Sequence, residues 1–427
     1  MDNFDPISEL YEESVHLIHA GRLRTALATL LRLFTLQTQH SGALTACAKL
    51  MTTFGDPQGA EQMLELAKDP ENPELMYQIG YHFINMGRPD VARAFLETCL
   101  KYSEEHPSVM YELGYCNYKD RKFNRAADLI KKASQNLDPE FVVPAELLLV
   151  ECLLYAERVE EGFELLEMAR EEFCAGGEES AVQALELMYA RHKRIDLPKP
   201  WDLRTWHYVQ HGGILLAQSN KPNQHGHYEH IAMNELAVGG VLRLLAAVII
   251  GLKLPLDALL HYDRDSFILA LALADLLNRP VRHWDQRCHE NEMLVIHDLH
   301  ALANMGISPV SREDCAYLFC FKVFPLQEYN ILPDIIGLMA VHFRFPWQER
   351  VEMLEKGEGD IQTRQVPEDK RKAEELAMEL ASAARMLPED TKASAQVDFY
   401  RKHRELLVCH NRELFQNRRF FNPMSPA

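Results

Sequence analysis

Two short polar segments in the second half of the chain contain side chains that can transfer protons or bind a polar ligand. The first is Asp263-Arg-Asp-Ser266, and the second contains His297, Asp298 and His300. Carboxylates and imidazoles transfer protons and bind sugar hydroxyls, and a nearby guanidinium binds phosphate. The sequence therefore predicts a ligand rim made of Asp263, Arg264, Asp265, Ser266, His297, Asp298 and His300.

Histidines also raise the question of a metal site. His225-Gly-His-Tyr-Glu-His230 and His297-Asp-Leu-His300 are dense in imidazole and carboxylate, which together suit zinc or iron. Neither segment has a helical ligand spacing such as H-E-x-x-H. We therefore expect no metal ligands, and the sequence predicts no particular cofactor.

A cysteine–histidine hydrolase is the other enzyme hypothesis. His211 precedes a Gly-Gly pair and could present a base, with Cys315 or Cys320 as the nucleophile. A nucleophile must be exposed, and in enzymes of this kind it usually lies in a Gly-rich turn at the end of a strand. Both cysteines lie inside an apolar run instead, which disfavours this hypothesis.

The segments around these residues are predicted to alternate between strands and helices. The pattern predicts a strand or strand pair around Gly212-Gly213, a helix ending near Leu252, and a helix over Phe267–Leu277. The other predicted strands are Leu256–Tyr262, Arg279–Trp284, Glu292–His297 and Cys315–Phe324. This alternation indicates an α/β domain over residues 196–346, whose ligands would bind at the carboxyl ends of the strands.

The order of these elements resembles the phosphoribosyltransferase-like fold over about residues 200–345. A strand and an acidic turn precede a helix ending in Asn-Arg-Pro-Val, and the next clear strand ends in His-Asp. In that fold an acidic pair and a Thr- and Gly-rich loop close on ribose and phosphate. Here the segment 295–302 has one acid of the pair and no Thr-Thr-Gly loop, so the resemblance implies the fold without the transferase activity.

The first half of the chain repeats with a period of 34 residues. Pro73-Glu-Leu-Met-Tyr-Gln-Ile-Gly80 aligns with Pro107-Ser-Val-Met-Tyr-Glu-Leu-Gly114, and Ala92 aligns with Ala126 at the same offset. Small residues at these positions let two neighbouring helices approach closely. Stacked helix pairs then share one continuous core.

This pattern resembles the tetratricopeptide repeat, a family of helix-turn-helix arrays that act as protein-interaction scaffolds. Residues 7–37, 41–69 and 143–175 repeat it less closely, and a helix over Glu178–Lys193 would cap the array before Pro198-Lys-Pro200. The resemblance implies an all-α solenoid over residues 1–195 that binds another protein or peptide.

In this family the first helix of each pair lines a groove that binds the partner. The residues expected there are Tyr77, Tyr81, Asn85, Tyr111, Tyr115, Tyr118 and Lys119. Tyrosines provide the amphipathic contact area that is typical of binding hot spots, although some of them could instead pack between helices. The set departs from the Lys/Asn clamp of chaperone-binding members, so we do not expect binding of a chaperone tail.

Composition limits the partners and the compartment. The 427 residues carry a formal net charge of −18, and residues 1–195 alone carry 32 acidic and 19 basic side chains, a net charge of −13. Such a surface repels nucleic acid. The most apolar stretch, 236–260, is interrupted by charges and Pro255, which argues against a membrane span. Nine irregularly spaced cysteines and no signal-peptide pattern predict a cytoplasmic protein.

Residues 347–427 are predicted to form a charged linker and two amphipathic helices, over Asp369–Met386 and Ser394–Phe415. Gly357-Glu-Gly-Asp360 is predicted to be a mobile linker. The helices must pack on the α/β domain or on a second copy of the chain.

Taken together, the three segments predict an α+β multidomain protein. We expect a scaffold or adaptor whose α/β domain is a second interaction or ligand-sensing module. The alternative is a degenerate phosphoribosyltransferase-like or metal-dependent hydrolase enzyme targeted by its repeat array. The sequence does not identify the partner or the pathway.

Overall fold

The computed structural model describes residues 5–103, 105–216, 230–284, 289–300, 317–324, 329, 332–340, 342–356, 360–388 and 391–411. The chain divides into two compact units, Met1–Leu185 and Glu186–Ala427. The described part of unit 1 contains helices and turns, whereas unit 2 contains a parallel β-sheet with helices. The chain is therefore an α+β protein with an all-α array followed by an α/β unit.

Unit 1 is built from consecutive helix pairs, each joined by a short turn. Several helices begin with a proline in their first turn, where the missing N–H has no intrahelical partner to lose. The Asp56 and Asn72 side chains accept hydrogen bonds from backbone N–H groups of the first turn. The pairs are α1 (Pro6–His19) with α2 (Leu23–Phe34), α3 (Ser41–Thr53) with α4 (Pro57–Lys68), α5 (Pro73–Asn85) with α6 (Pro89–Cys99), α7 (Pro107–Lys119) with α8 (Phe123–Ser134), and α9 (Pro139–Tyr155) with α10 (Val159–Ala175). Helix α11 (Glu179–Arg194) follows.

The small residues of the 34-residue repeat lie where the two helices of a pair touch. A Cβ atom on Gly80 would lie 2.8 Å from the Leu96 side chain, and one on Gly114 would lie 2.5 Å from Ile130 Cγ1. Leu96 and Ile130 are themselves 34 residues apart, so the same close contact recurs in successive pairs. The small residues in the first turn of the second helices are buried as well: Ala26, Ala60, Ala92 and Ala126. This geometry confirms the predicted tetratricopeptide-type array.

Unit 2 contains a six-stranded sheet, all of whose strand pairs are parallel. The strand order is β1-β7-β6-β5-β3-β4, and a separate parallel pair joins β2 to β8. Continuous apolar runs such as Tyr317–Val323 are buried on both faces, as parallel sheets require. The strands are β1 (Ile214–Leu215), β2 (His230–Ala232), β3 (Ala258–His261), β4 (Val281–His283), β5 (Glu292–Asp298), β6 (Tyr317–Val323), β7 (Ile335–Met339), β8 (His342–Arg344), β9 (Arg350–Lys356) and β10 (Asp360–Val366).

Five helices follow α11 in the described part of unit 2. They are α12 (Leu203–His211), α13 (Glu235–Leu252), α14 (Arg264–Leu277), α15 (Ala373–Met386) and α16 (Thr391–Lys402), followed by a short 3-10 helix over Arg404–Leu406. Helix α15 packs against α13 and α14, and α16 packs against α13. Among the described helices, α13 is the one long and apolar enough to cross a membrane, and half of it is buried inside the unit.

One prediction for this unit is wrong, and another falls almost wholly outside the described residues. The segment before Gly212 forms helix α12, not a strand, because the Asp202 carboxylate accepts hydrogen bonds from the backbone and hydroxyl of Thr205 and caps a new helix. The helix ends at Gly212, whose φ of +65° favours glycine. The predicted linker around residues 357–360 connects β9 to β10, which pair as antiparallel strands; residues 357–359 lie outside the described part of the chain.

Candidate functional site

Four tyrosines lie on the first helices of two neighbouring pairs. Tyr77 and Tyr81 belong to α5, while Tyr111 and Tyr115 belong to α7, which contacts α5. Tyr81 is 46% exposed, and the other three are partly exposed. The Tyr77 and Tyr81 rings stack with centroids 6.4 Å apart. We call these four residues the tyrosine surface.

Tyr118, which was expected to line the same groove, is part of the core. Its side chain is only 6% exposed, and its ring lies against Phe123 of α8 with the centroids 6.0 Å apart. Because Phe123 begins the second helix of the pair, it covers Tyr118 on the side turned toward that helix. The expectation for Tyr118 is therefore corrected, whereas the four residues of the tyrosine surface are at least partly exposed, with Tyr77 also packed against the core.

The two polar residues of the predicted groove lie at the ends of the same helices. Asn85 is the exposed last residue of α5, and Lys119 is the last residue of α7. The Lys119 ammonium lies over the Tyr115 ring, with Nζ 5.5 Å from the ring centroid. This contact is a cation–π interaction, so a face of the tyrosine surface already holds a positive charge.

Glu112 is the residue that sequence reasoning missed. It lies on α7 beside Tyr111, is partly buried, and lowers the tendency of both Tyr77 and Tyr111 to ionise. Burial raises the pKa of the Glu112 carboxyl to about 7. No hydrogen bond or ion pair joins it to another residue in the part of the chain that the structure describes. The sequence held one signal: the residue 34 positions earlier is Gln78, so a carboxylate replaces an amide at the same place in the repeat. In the structure the Gln78 amide donates to the Glu74 carboxylate at 2.8 Å.

The predicted ligand rim of unit 2 is partly brought together. In the order β1-β7-β6-β5-β3-β4, the chain leaves β3 toward β4 and returns to the other side of β3 at β5. This reversal places the carboxyl ends of β3 and β5 side by side, the position where α/β sheets usually bind ligands. The Asp263 carboxylate and His297 Nδ1 meet there at 3.1 Å, and the Tyr262 hydroxyl lies 3.2 Å from the same nitrogen.

The Asp263–His297 pair shifts both titrations. Burial disfavours the charged imidazole, but the hydrogen bond and charge of Asp263 outweigh it, so the pKa of His297 lies above its ordinary value. Burial also opposes ionisation of Asp263, yet the contacts with His297 and Ser266 hold its pKa below the ordinary value. The contact therefore favours the charged form of both side chains. Asp263 also caps α14 by accepting from the Ser266 backbone N–H at 2.8 Å.

The other rim residues bind within the chain. Asp298 accepts from Lys322 Nζ at 2.8 Å and from the His300 backbone N–H at 2.9 Å. Arg264 donates to the Asp369 carbonyl at 2.7 Å, and Asp265 accepts from Trp347 Nε1 at the same distance. Arg264 and Asp265 thus bind Asp369 and Trp347 to the start of α14 and take no part in the Asp263–His297 contact.

The metal and hydrolase hypotheses gain no support from the geometry. Within the described ranges no group of three or more His, Cys, Asp and Glu side chains is arranged to hold a metal ion. His225, His227 and Cys315 lie outside those ranges, as does the side chain of His230. Cys320 is buried in the centre of β6, and burial raises the pKa of its thiol far above the ordinary value, which disfavours the thiolate that a nucleophile needs.

Comparisons with known proteins find likeness at the level of structure. No protein-family model matches the sequence, and no curated protein matches it. PilF of Pseudomonas aeruginosa matches 44% of this chain and 84% of its own at 16% identity and a TM-score of 0.27. YrrB, described as a TPR protein with an unusual peptide-binding site, matches 44% of this chain and 91% of its own at 18% identity and a TM-score of 0.26. MamA matches 45% and 98% at 13% identity and a TM-score of 0.24.

Scores this low add nothing to what the helix contacts establish. The recurring pairs, with Gly80 against Leu96 and Gly114 against Ile130, define unit 1 as a tetratricopeptide-type fold.

Proposed function

We propose that the chain is an adaptor whose helix array binds a partner protein or peptide along the tyrosine surface. The observation that carries the proposal is the position of Tyr77, Tyr81, Tyr111 and Tyr115 on adjoining first helices, where Tyr81 is exposed and the other three are partly exposed, although Tyr77 also packs against the core. Large aromatic side chains that stay accessible are the residues that most often dominate binding energy at interfaces.

Site-specific photo-crosslinking in cells tests the proposal. A photoreactive phenylalanine derivative replaces Tyr81 in one full-length chain and Glu61 in a control chain, because Glu61 is exposed on α4, the second helix of its pair. We expect discrete protein adducts from position 81 and none from position 61. The adducts should disappear when Tyr111→Ala and Tyr115→Ala are added. Equal adducts from both positions would show that the tyrosine surface is not the binding site.

We propose a second role for unit 2, as an interaction or ligand-sensing module. The reason is that Asp263 and His297 meet at the chain reversal between β3 and β5. A thermal-shift screen of the full chain with nucleotides and phosphorylated sugars tests it, since a ligand at 100 times its dissociation constant stabilises by about 2.7 kcal/mol. Stabilisation should be lost in Asp298→Asn, and a screen without any stabilising compound would leave unit 2 without a ligand role.

The binding module is favoured over an enzyme because the rim carboxylates already hold protein groups. Asp263 binds His297 and the start of α14, and Asp298 binds Lys322. A cytoplasmic location, as expected from the cysteine spacing, belongs to the same proposal, and fractionation of cells that express the chain tests it.

A further inference from the structure

We propose that the tyrosine surface takes a basic peptide segment, one lysine or arginine of which pairs with Glu112 while its stem lies against Tyr77 and Tyr111. This inference rests on the proposed function and adds the chemical class of the partner. It also assigns a role to Glu112, which stands where the preceding repeat has Gln78.

The first step is the state of the Glu112 carboxyl. It is partly buried and close enough to Tyr77 and Tyr111 for its charge to act on both hydroxyls, and no cation of the described residues pairs with it. A carboxylate that is removed from water without a partner is costly, and the cost is recovered when a cation arrives. The site is therefore incomplete in a way that an ammonium or guanidinium group would complete.

The second step is the chemistry of the surrounding surface. Aromatic faces attract cations. Tyr115 lies one helical turn after Tyr111 on α7, and the Lys119 ammonium already lies over its ring. Lys119 also sets a limit, because its charge repels a second cation placed directly beside Tyr115. The positions left for a cation are hence the partly exposed parts of Tyr77 and Tyr111, both of which feel the charge of Glu112, although one side of the Tyr77 ring stacks on Tyr81.

The third step is the charge of the whole array. Residues 1–185 carry 31 acidic and 16 basic side chains, a formal net charge of −15. A field of this sign attracts basic segments, speeds their association and repels acidic ones. Charge complementarity thus selects a basic partner over an acidic one, independently of the contacts of Glu112.

Binding should also release a proton. The ionisable groups beside Glu112 are Tyr77 on α5 and Tyr111 and Cys116 on α7. Burial raises the pKa of all three, and the charge of Glu112 raises it further. The charged residues of the adjoining helix that act on Cys116 are Arg93, Glu97 and Asp90. A cation that binds Glu112 favours its ionised form, so affinity should rise as the pH increases from about 6 to about 8.

Fluorescence anisotropy with the full-length protein tests the inference. The probes are fluorescein-labelled peptides of equal length that carry Lys and Arg, Gln, or Glu at the same positions and contain no histidine. We expect the basic peptide to bind at least about tenfold more tightly than the Gln peptide. Glu112→Gln should reduce that advantage, leaving only the part due to the net charge of the array, and should abolish its pH dependence. Glutamine is a tolerated substitute, since Gln78 already occupies the equivalent position of the preceding repeat. The matched control Glu61→Gln, an exposed residue on α4, should change neither.

The outcomes separate this inference from the proposed function. Equal or tighter binding of the acidic peptide, or full retention of basic-peptide affinity in Glu112→Gln, overturns the inference. Crosslinking from position 81 would still report whether the tyrosine surface binds a protein. Loss of helical circular dichroism in Glu112→Gln would mean that this variant unfolds. Glu112→Asp is then the variant to test, because it keeps the charge on a shorter side chain. It should retain a preference for the basic peptide.

Discussion

Gly114 on α7 faces Ile130 on α8 so closely that a Cβ atom at position 114 would lie 2.5 Å from Ile130 Cγ1. Real Cβ atoms are not found so near another carbon, so the side chain or the helix would have to move. The contact repeats the one between Gly80 and Leu96, and these two contacts fix how closely the helices of each pair approach.

Gly114→Leu should therefore destabilise the protein. A larger side chain forces α7 away from α8, and overpacking of this kind costs roughly 1–3 kcal/mol. Urea unfolding followed by circular dichroism measures the effect. Adding Ile130→Ala should recover part of the loss, because the two side chains compete for one space. Gly176→Ala is the control, since a Cβ atom there meets its neighbours at 3.4 Å or more. Equal stability of Gly114→Leu and the unmodified chain would show that α7 and α8 pack differently.

The tyrosines of α7 should divide into two classes. Tyr111→Ala with Tyr115→Ala should weaken partner binding by up to about a thousandfold, since hot-spot residues commonly cost 2 kcal/mol or more each. The same pair should leave the melting temperature nearly unchanged. Tyr118→Ala removes a buried ring that contacts Phe123, and should cost about 3 kcal/mol of stability. If the double variant unfolds as readily as Tyr118→Ala does, the tyrosine surface belongs to the core.

The sequence predicted most of unit 1 because its pattern is local and repeated. Gly80 and Gly114 lie at the same place in successive repeats, and one helix pair suffices to explain both. Tyr118 was misassigned because its burial depends on Phe123, a residue of the next helix that the spacing of α7 does not reveal. Glu112 was missed because one glutamate in an acidic sequence is unremarkable until α5 and α7 are seen to adjoin.

Unit 2 was predicted less completely because its local signals compete. Aromatic residues and Gly212-Gly213 favoured a strand before β1, yet Asp202 and Thr205 form a helix cap that the sequence already contained. The order of the strands cannot be read from the chain, since β5 lies beside β3 only after the crossover from β4. Consequently the meeting of Asp263 with His297 could be expected from the fold class, but the binding of Arg264 and Asp265 to the 347–371 segment could not.

Asp263→Asn should destabilise unit 2 in a pH-dependent way. Asparagine still caps α14, so the change mainly removes the charge opposite His297. Because the pKa of His297 is raised, the stability from the charged pair is fully present below the unfolded pKa of about 6.5 and is lost as the pH rises through the folded value. Asp263, whose pKa is lowered, stays ionised down to acidic pH.

Urea unfolding at about pH 6 should thus show a loss of roughly 1–3 kcal/mol in Asp263→Asn, and a smaller loss at about pH 9. His297→Gln should abolish the difference between the two pH values. A loss of the same size at both values would mean that Asp263 acts through the helix cap alone.

Glu112→Gln should stabilise the free protein at alkaline pH. Burial raises the folded pKa of Glu112 to about 7, above the ordinary value of 4.5, so the folded state holds a proton that the unfolded state releases. Below about pH 4.5 both states are protonated and the carboxyl costs nothing; the cost grows as the pH rises and is complete above about pH 7. Replacing the carboxyl with an amide removes this cost, which is on the order of 1–2 kcal/mol after allowance for solvent screening.

The unfolding midpoints of the unmodified protein and of Glu112→Gln should therefore coincide near pH 4.5 and separate by pH 8. Glu61→Gln, which changes an exposed residue of α4, should match the unmodified protein at every pH. If Glu112→Gln is less stable than the unmodified protein at pH 8, a cation of the protein already pairs with Glu112. The tyrosine surface would then have no unpaired carboxylate for a basic partner to bind.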